Sequence, residues 1–269
     1  MVSKLIDKYF RTDQLPHIWC PGCGNGIVLR AIVKAIDNLG LNKDKVCVVS
    51  GIGCSSRASG YLDFNTVHTT HGRALAFATG IKFSNPDLHV IVITGDGDCA
   101  AIGGNHLIHA ARRNIDITTV VFNNNIYGMT GGQYSPTTPT GKKGTTAPYG
   151  NVDQNFDLCE LAKAAGATYV SRSSVYAANM IIKQVEEGIK NKGFSFIETL
   201  TTCPTYYGRK NKLGNAVDMI NYLKDTTVNI SAYEKLSQEE KAEKIPIGVL
   251  FRDNRPEYVE RYEEIMNSL

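Results

Sequence analysis

Apolar positions along this chain follow two periods. Runs such as His89-Val90-Ile91-Val92-Ile93 and Ile117-Thr118-Thr119-Val120-Val121-Phe122 are short, continuous and β-branched. That is the pattern of strands buried on both faces. Residues 24–39 instead place Ile27, Val28, Ile32, Val33, Ile36 and Leu39 at helical spacing, with Gly40 as a stop. The alternation predicts strands near 45–50, 89–94, 116–122, 168–171 and 194–199, and helices near 24–39, 72–84, 102–113, 156–165 and 175–191. Strands alternating with helices give an α/β fold, a mostly parallel sheet flanked by helices. The main domain is expected over residues 1–213. Residues 214–269 are charged and read as a helical C-terminal extension, broken by Pro246 and Pro256 and packed on that domain or on a partner chain.

The polar residues that close two of these strands carry the first chemical signal. Gly95-Asp96-Gly97-Asp98 follows the run at 89–93, and Asn123-Asn124-Asn125-Ile126-Tyr127-Gly128 follows the run at 117–122. Both therefore stand at the carboxyl edge of a parallel sheet, where open α/β folds bind ligands. A carboxylate, an amide oxygen and a nearby backbone carbonyl suit a hard cation such as Mg²⁺, which in turn holds phosphate oxygens. The glycines allow close approach of a diphosphate. Either motif alone is a common turn; the pair, one helix apart, predicts a Mg²⁺-diphosphate cofactor site. The stretch 124–153 is too long for an ordinary connection, and such loops are usually functional. Gly131-Gly132 and Pro136-Thr137-Thr138-Pro139-Thr140-Gly141-Lys142-Lys143 either fold over the ligand or form a surface or subunit contact.

Composition narrows the class. The chain has 269 residues, 42% of them hydrophobic, enough for a sizeable core. A net charge of +3 makes no case for nucleic acid. Met1 to Phe10 alternates charged and apolar residues without a signal-like core, and no stretch has the length of a membrane span. A cytoplasmic protein is expected. Seven cysteines are too few for a disulfide scaffold at this length, so buried thiols, metal ligands or redox groups are the readings left.

Four of the seven converge. Cys20 and Cys23 form a C-x-x-C in Trp19-Cys20-Pro21-Gly22-Cys23-Gly24. Cys54 lies in Gly51-Ile52-Gly53-Cys54-Ser55-Ser56 past the strand at 45–50, and Cys203 lies past the strand at 194–199. The last two share the sheet edge of Asp96 and Asn124. Four thiolates there can hold a [4Fe–4S] cluster or a tetrahedral zinc. A thioredoxin-like dithiol would leave Cys54 and Cys203 unexplained. Cys47 and Cys159 read as core residues, and Cys99 as a neighbour of the cofactor. Of the histidines, His71 is the better candidate for a hydrogen bond or a proton transfer, because Gly72 opens the next helix; His68 is equally readable as structural. Arg57, three residues past Cys54, is a candidate for a substrate carboxylate or an exposed arginine.

Taken together, these residues resemble the β subunit of the 2-oxoacid:ferredoxin oxidoreductases, over Trp19 to about Lys212. The wording His68-Thr69-Thr70-His71-Gly72-Arg73-Ala74 and Thr130-Gly131-Gly132-Gln133-Tyr134-Ser135-Pro136 is most like the 2-oxoglutarate branch. The resemblance implies thiamine diphosphate, Mg²⁺ and one [4Fe–4S] cluster. It implies Asp96, Asn124 and the Ile126 carbonyl as Mg²⁺ ligands, and Cys20, Cys23, Cys54 and Cys203 as cluster ligands. Ile52, Gly53, Cys54, Ser55, His68, Thr69, Thr70, His71, Gly97, Asp98, Gly128 and Met129 are implied as thiamine-contacting positions. The implied reaction is CoA-dependent oxidative decarboxylation of 2-oxoglutarate to succinyl-CoA and CO₂ with reduction of ferredoxin, reversibly, or the same reaction on pyruvate or 2-oxoisovalerate. No second set of thiamine motifs is present, so the activating glutamate is expected on a partner α subunit. Two other readings stay open: a cluster-free thiamine enzyme, and a zinc-stabilised module that binds a nucleotide or a partner.

Overall fold

The computed structural model describes residues 2–269, so Met1 of the N-terminal reading lies outside it. An eight-stranded sheet runs through the molecule in the order β2-β1-β3-β4-β8-β7-β10-β9. Its strands are β1 (Val46–Ser50), β2 (Asn65–His68), β3 (His89–Gly95), β4 (Thr118–Asn123), β7 (Tyr169–Ser174), β8 (Ser195–Leu200), β9 (Thr227–Asn229) and β10 (Ile245–Arg252). The hairpin β5 (Ile126–Tyr127) and β6 (Gln133–Tyr134) stands apart within the long loop. All pairings from β2 to β7 are parallel, and β10 is antiparallel to β7.

Because β1, β4, β7 and β8 are buried at every position, their alternate side chains feed two separate cores. Val48, Ile91, Ile93, Val120, Phe122 and Ile197 meet α2 (Asn25–Asn38) and α7 (Ala178–Lys190) on one face. Val49, Val92, Val121, Val170 and Phe196 meet α4 (Ala74–Ser84), α5 (Gly104–Arg113) and α6 (Leu158–Ala165) on the other. The shorter helices α1 (Val2–Tyr9) and α3 (Ala58–Tyr61) pack near the β2 edge.

The charged tail supplies helices α8 (Ala216–Thr226), α9 (Ile230–Tyr233), α10 (Gln238–Glu243) and α11 (Tyr258–Asn267), as its polarity suggested. It also supplies β9 and β10, which the sequence reading did not foresee. Pro246 was read as a helix breaker. It sits instead in the second position of β10, opposite Val228 of β9. A proline near a strand start is tolerated, and the apolar Ile247, Leu250 and Phe251 that follow are covered by the domain. The four-residue β2, exposed or half-exposed throughout, was missed for lack of any apolar run.

Candidate functional site

Cys54, Asp96, Asn124 and Cys203 all follow parallel strands, β1, β3, β4 and β8, and so reach one edge of the sheet. A cleft opens there. Among its walls are Asn25, Cys54, His71, Asp96, Asn124 and Met129, with Ile52, Gly53, Ser55, Gly97, Asp98, Ile126 and Gly128.

Asp96 is 3% exposed. Two hydroxyls from the long loop, Ser135 Oγ and Thr137 Oγ1, each lie 2.6 Å from its Oδ2. That leaves Oδ1 without a side-chain donor. Burial pushes its pKa up to about 6, against the pull of those two hydroxyls. A buried carboxylate held by one oxygen, with a raised pKa, is primed for a cation. Asn124 is buried beside it, and its Oδ1 accepts from Ile126 N–H at 3.2 Å, which fixes the turn that carries the Ile126 carbonyl. Behind them runs a chain of buried polar groups. Thr137 Oγ1 also lies 3.0 Å from Asn123 Oδ1, and Asn123 Nδ2 donates to Glu198 Oε1 at 2.7 Å. Glu198 in turn pairs with the buried Arg172, which also bonds Asp157. The carboxylates and thiol of Asp157, Cys159 and Glu198 crowd together, with the guanidinium of Arg172 paired to both carboxylates.

Asp98 also lines the cleft, and its carboxylate is held by the protein. Both of its carboxylate oxygens are consumed within the protein. Oδ1 accepts from His71 Nδ1, from Gly72 N–H at 2.7 Å and from Ile52 N–H at 3.3 Å, and Oδ2 accepts from Thr94 Oγ1 at 2.8 Å. Asp98 thus ties the loops after β1 and β2 to the end of β3. It also sets the tautomer of His71, whose Nδ1 must carry the proton it donates, leaving Nε2 as an acceptor. Gly97 is required by close approach, since a Cβ there would come 2.2 Å from Cζ of Tyr127. The backbone from Asp98 to Ile102 forms a single π-helical turn before α5 begins, a distortion common at functional sites.

The four cysteines gather beside the cleft, with Cys54 in its wall. Trp19 Nε1–H donates to the Cys54 carbonyl at 2.6 Å, and Thr202 Oγ1 donates to the Gly22 carbonyl at 3.0 Å, so the three cysteine loops are bound together. Burial pushes the Cys23 thiol up to about 12 and Cys54 up to about 11, and raises Cys203. Neighbouring cysteines add to each shift. Backbone amides point at the sulfurs: Asn25 N–H at Cys23, Met129 N–H at Cys54, and those of Tyr206 and Tyr207 at Cys203. Among the described residues, no three of these sulfurs lie within 4.8 Å of one another. A Cβ on Gly128 would stand 3.3 Å from Cys54 Sγ and 3.6 Å from Cys203 Sγ, so Gly128 leaves space beside both. Cys20 is exposed.

Other expected positions fall elsewhere. Thr69 is buried, and its hydroxyl donates to the Ser50 carbonyl at 2.9 Å, a structural tie between β2 and β1. His68 and Thr70 are exposed and do not line the cleft. Arg57 stands outside the cleft lining, with its Nε buried and unpartnered. Cys47, Cys99 and Cys159 lie in the second core. Sequence reading missed Ser135 and Thr137 as individual ligand-holding residues, and missed Asn123 and Asn25; only the unusual length of the loop pointed toward the first two.

A family model described as thiamine pyrophosphate enzyme, C-terminal TPP binding domain, matches residues 51–199. The chain is 53% identical over 262 residues to the 2-oxoglutarate synthase subunit KorB of Methanocaldococcus jannaschii, covering 97% of each. It is 39% identical to the 2-oxoacid:ferredoxin oxidoreductase subunit beta of a Sulfolobus species, covering 91% of this chain and 84% of that one. A solved structure of the 2-oxoglutarate:ferredoxin oxidoreductase from Magnetococcus marinus, with 2-oxoglutarate, coenzyme A and succinyl-CoA bound, superposes with a TM-score of 0.87 at 32% identity. That match covers 98% of this chain and 90% of the other.

Proposed function

The chain belongs to the β subunits of the 2-oxoacid:ferredoxin oxidoreductases, and we propose that it binds the diphosphate half of thiamine diphosphate, through Mg²⁺, beside one [4Fe–4S] cluster of its own. The observation that carries this reading is Cys54. It lines the cleft that contains Asp96 and Asn124, and it is also one of the four gathered thiols. One residue therefore belongs to both sites, which makes electron transfer between them the economical use of the arrangement.

The residues fit the groups they would hold. Asp96, Asn124 and the Ile126 carbonyl are hard oxygen ligands on residues that line one cleft, and Asp96 keeps one carboxylate oxygen without a side-chain donor. Cys20, Cys23, Cys54 and Cys203 would hold the cluster. Amide N–H groups aimed at the sulfurs are a recognised control on cluster potential. Bound thiamine supplies the electron sink that decarboxylation requires.

The chain's own residues then act around it. Ser135 and Thr137 hold Asp96 and keep water from one of its oxygens. Asp98 fixes His71 Nδ1–H, so that Nε2 is the atom free to accept a proton at the cleft. Gly97 and Gly128 keep the floor low. The 2-oxoacid is 2-oxoglutarate, which the Methanocaldococcus and Magnetococcus proteins carry in their names, with coenzyme A as acyl acceptor and ferredoxin as electron acceptor. The aminopyrimidine half of the site belongs to an α subunit, so the isolated chain is inactive. The test uses the α–β complex and compares CoA-dependent ferredoxin reduction with 2-oxoglutarate, pyruvate and 2-oxoisovalerate. 2-Oxoglutarate should turn over fastest; a faster rate with pyruvate rejects the assignment.

A further inference from the structure

Asn25 is the first residue of α2, two beyond Cys23. Its side chain is 1% exposed, and neither Oδ1 nor Nδ2 has a hydrogen-bond partner. It lines the cleft together with Cys54, His71, Asp96 and Met129. A carboxamide closed off from water with both halves unpaired is costly, and native folds keep few such groups. Other polar walls are held by at least one protein partner: Asp96 by two hydroxyls, Asp98 and His71 by each other. Among the described lining residues, Asn25 is the one whose side-chain polar atoms are both buried and wholly unpaired.

Its place in the cleft narrows what it binds. The backbone N–H of Asn25 is directed at Cys23 Sγ, which anchors the residue beside the cysteines. Asp96 and Asn124 are the groups assigned to Mg²⁺ and the diphosphate. A diphosphate also calls for cations and N–H donors rather than a neutral group that is half acceptor. The sulfurs already receive backbone N–H groups, and the Oδ1 half of a carboxamide gains nothing from a sulfur lone pair. A ligand oxygen that is an acceptor as a carbonyl and a donor as a hydroxyl uses both halves of the amide in turn.

We propose, on the basis of the functional reading above, that Asn25 is a substrate-binding residue whose carboxamide hydrogen-bonds the 2-oxo oxygen of the acid, beside Cys23 and Cys54. The experiment uses the anaerobically purified α–β complex with Asn25→Ala and the isosteric Asn25→Asp. Iron content, thiamine diphosphate affinity, and affinity for a phosphonate analogue of 2-oxoglutarate that cannot lose CO₂ are measured beside kcat and KM. Both variants should bind the analogue about tenfold more weakly and lose at least that factor in kcat/KM, about the effect of one hydrogen bond. Iron and thiamine diphosphate affinity should stay within twofold of wild type. Analogue affinity unchanged in both variants would overturn the proposal. So would a parallel loss of iron or thiamine diphosphate in folded Asn25→Asp, which would assign the amide to the cluster or the cofactor. A wild-type complex without iron and thiamine diphosphate would overturn the functional reading itself, and is seen before any variant is made.

Discussion

The two sets of ligands, Asp96 with its neighbours and the four cysteines, are the chemical rather than the spatial ends of the site, and they are prepared in opposite ways. At the Asp96 end the protein has already made its hydrogen bonds. Two hydroxyls hold one carboxylate oxygen, and a buried chain through Asn123 and Glu198 backs one of those hydroxyls. At the cysteine end the backbone is tied down by Trp19 and Thr202, yet burial drives the thiols toward their protonated forms. The first end is preorganised for its ligand. The second has rigid loops whose reactive atoms gain their charge only when metal displaces protons, so ligand binding there is coupled to deprotonation. The two ends should therefore fail independently and to different degrees.

The largest expected effect is at the cysteine end. Cys54→Ala should bring iron from about four per chain to near zero and abolish ferredoxin reduction, while thiamine diphosphate affinity stays within a few-fold, measured by titration calorimetry. Next is Asp96→Ala, which should weaken Mg²⁺-dependent thiamine diphosphate binding by at least about a hundredfold and leave most of the iron in place, the charge-assisted contacts being lost outright. Joint loss of iron and cofactor in both variants would erase the distinction between the ends.

Thr137→Val is a finer probe. It removes one hydroxyl from Asp96 Oδ2 without changing side-chain volume much. Affinity for Mg²⁺ and thiamine diphosphate should fall about tenfold. The smallest effect is in pH. Asp96 is held up to about 6 from 3.8. The folded chain therefore keeps a proton that the unfolded chain has already released between those values, and the stability of the ligand-free fold should decline as pH rises through them. A cation must displace that proton, so below pH about 6 Mg²⁺-dependent binding should weaken by up to about tenfold per unit. Titrations between pH 5 and pH 8 check it, and a flat profile contradicts it.

The parts visible in the sequence are those that announce themselves by local pattern. β3 and β4 are continuous apolar runs, so the carboxyl-end placement of Asp96 and Asn124 followed directly. The four cysteines were legible because three glycine- and proline-bearing loops end at one edge. Ser135 and Thr137 reach Asp96 across 39 and 41 residues, and Asn123 reaches Glu198 across 75; hydroxyls and amides at such separations carry no local signature. Asp98 is implied as a cofactor contact by the resemblance alone; its hydrogen bonds to His71 and Gly72 come from a distant loop and carry no local signature. β10 was hidden by Pro246, which signals a break in a helix and an ordinary start in a strand.

The central claim is that one chain holds both a thiamine diphosphate half-site and an iron–sulfur cluster, joined at Cys54. Its most direct test is the metal and sulfide content of the anaerobically purified protein. About four irons and four acid-labile sulfides per chain, with no zinc, are predicted. A colourless protein containing zinc and no iron would contradict the account.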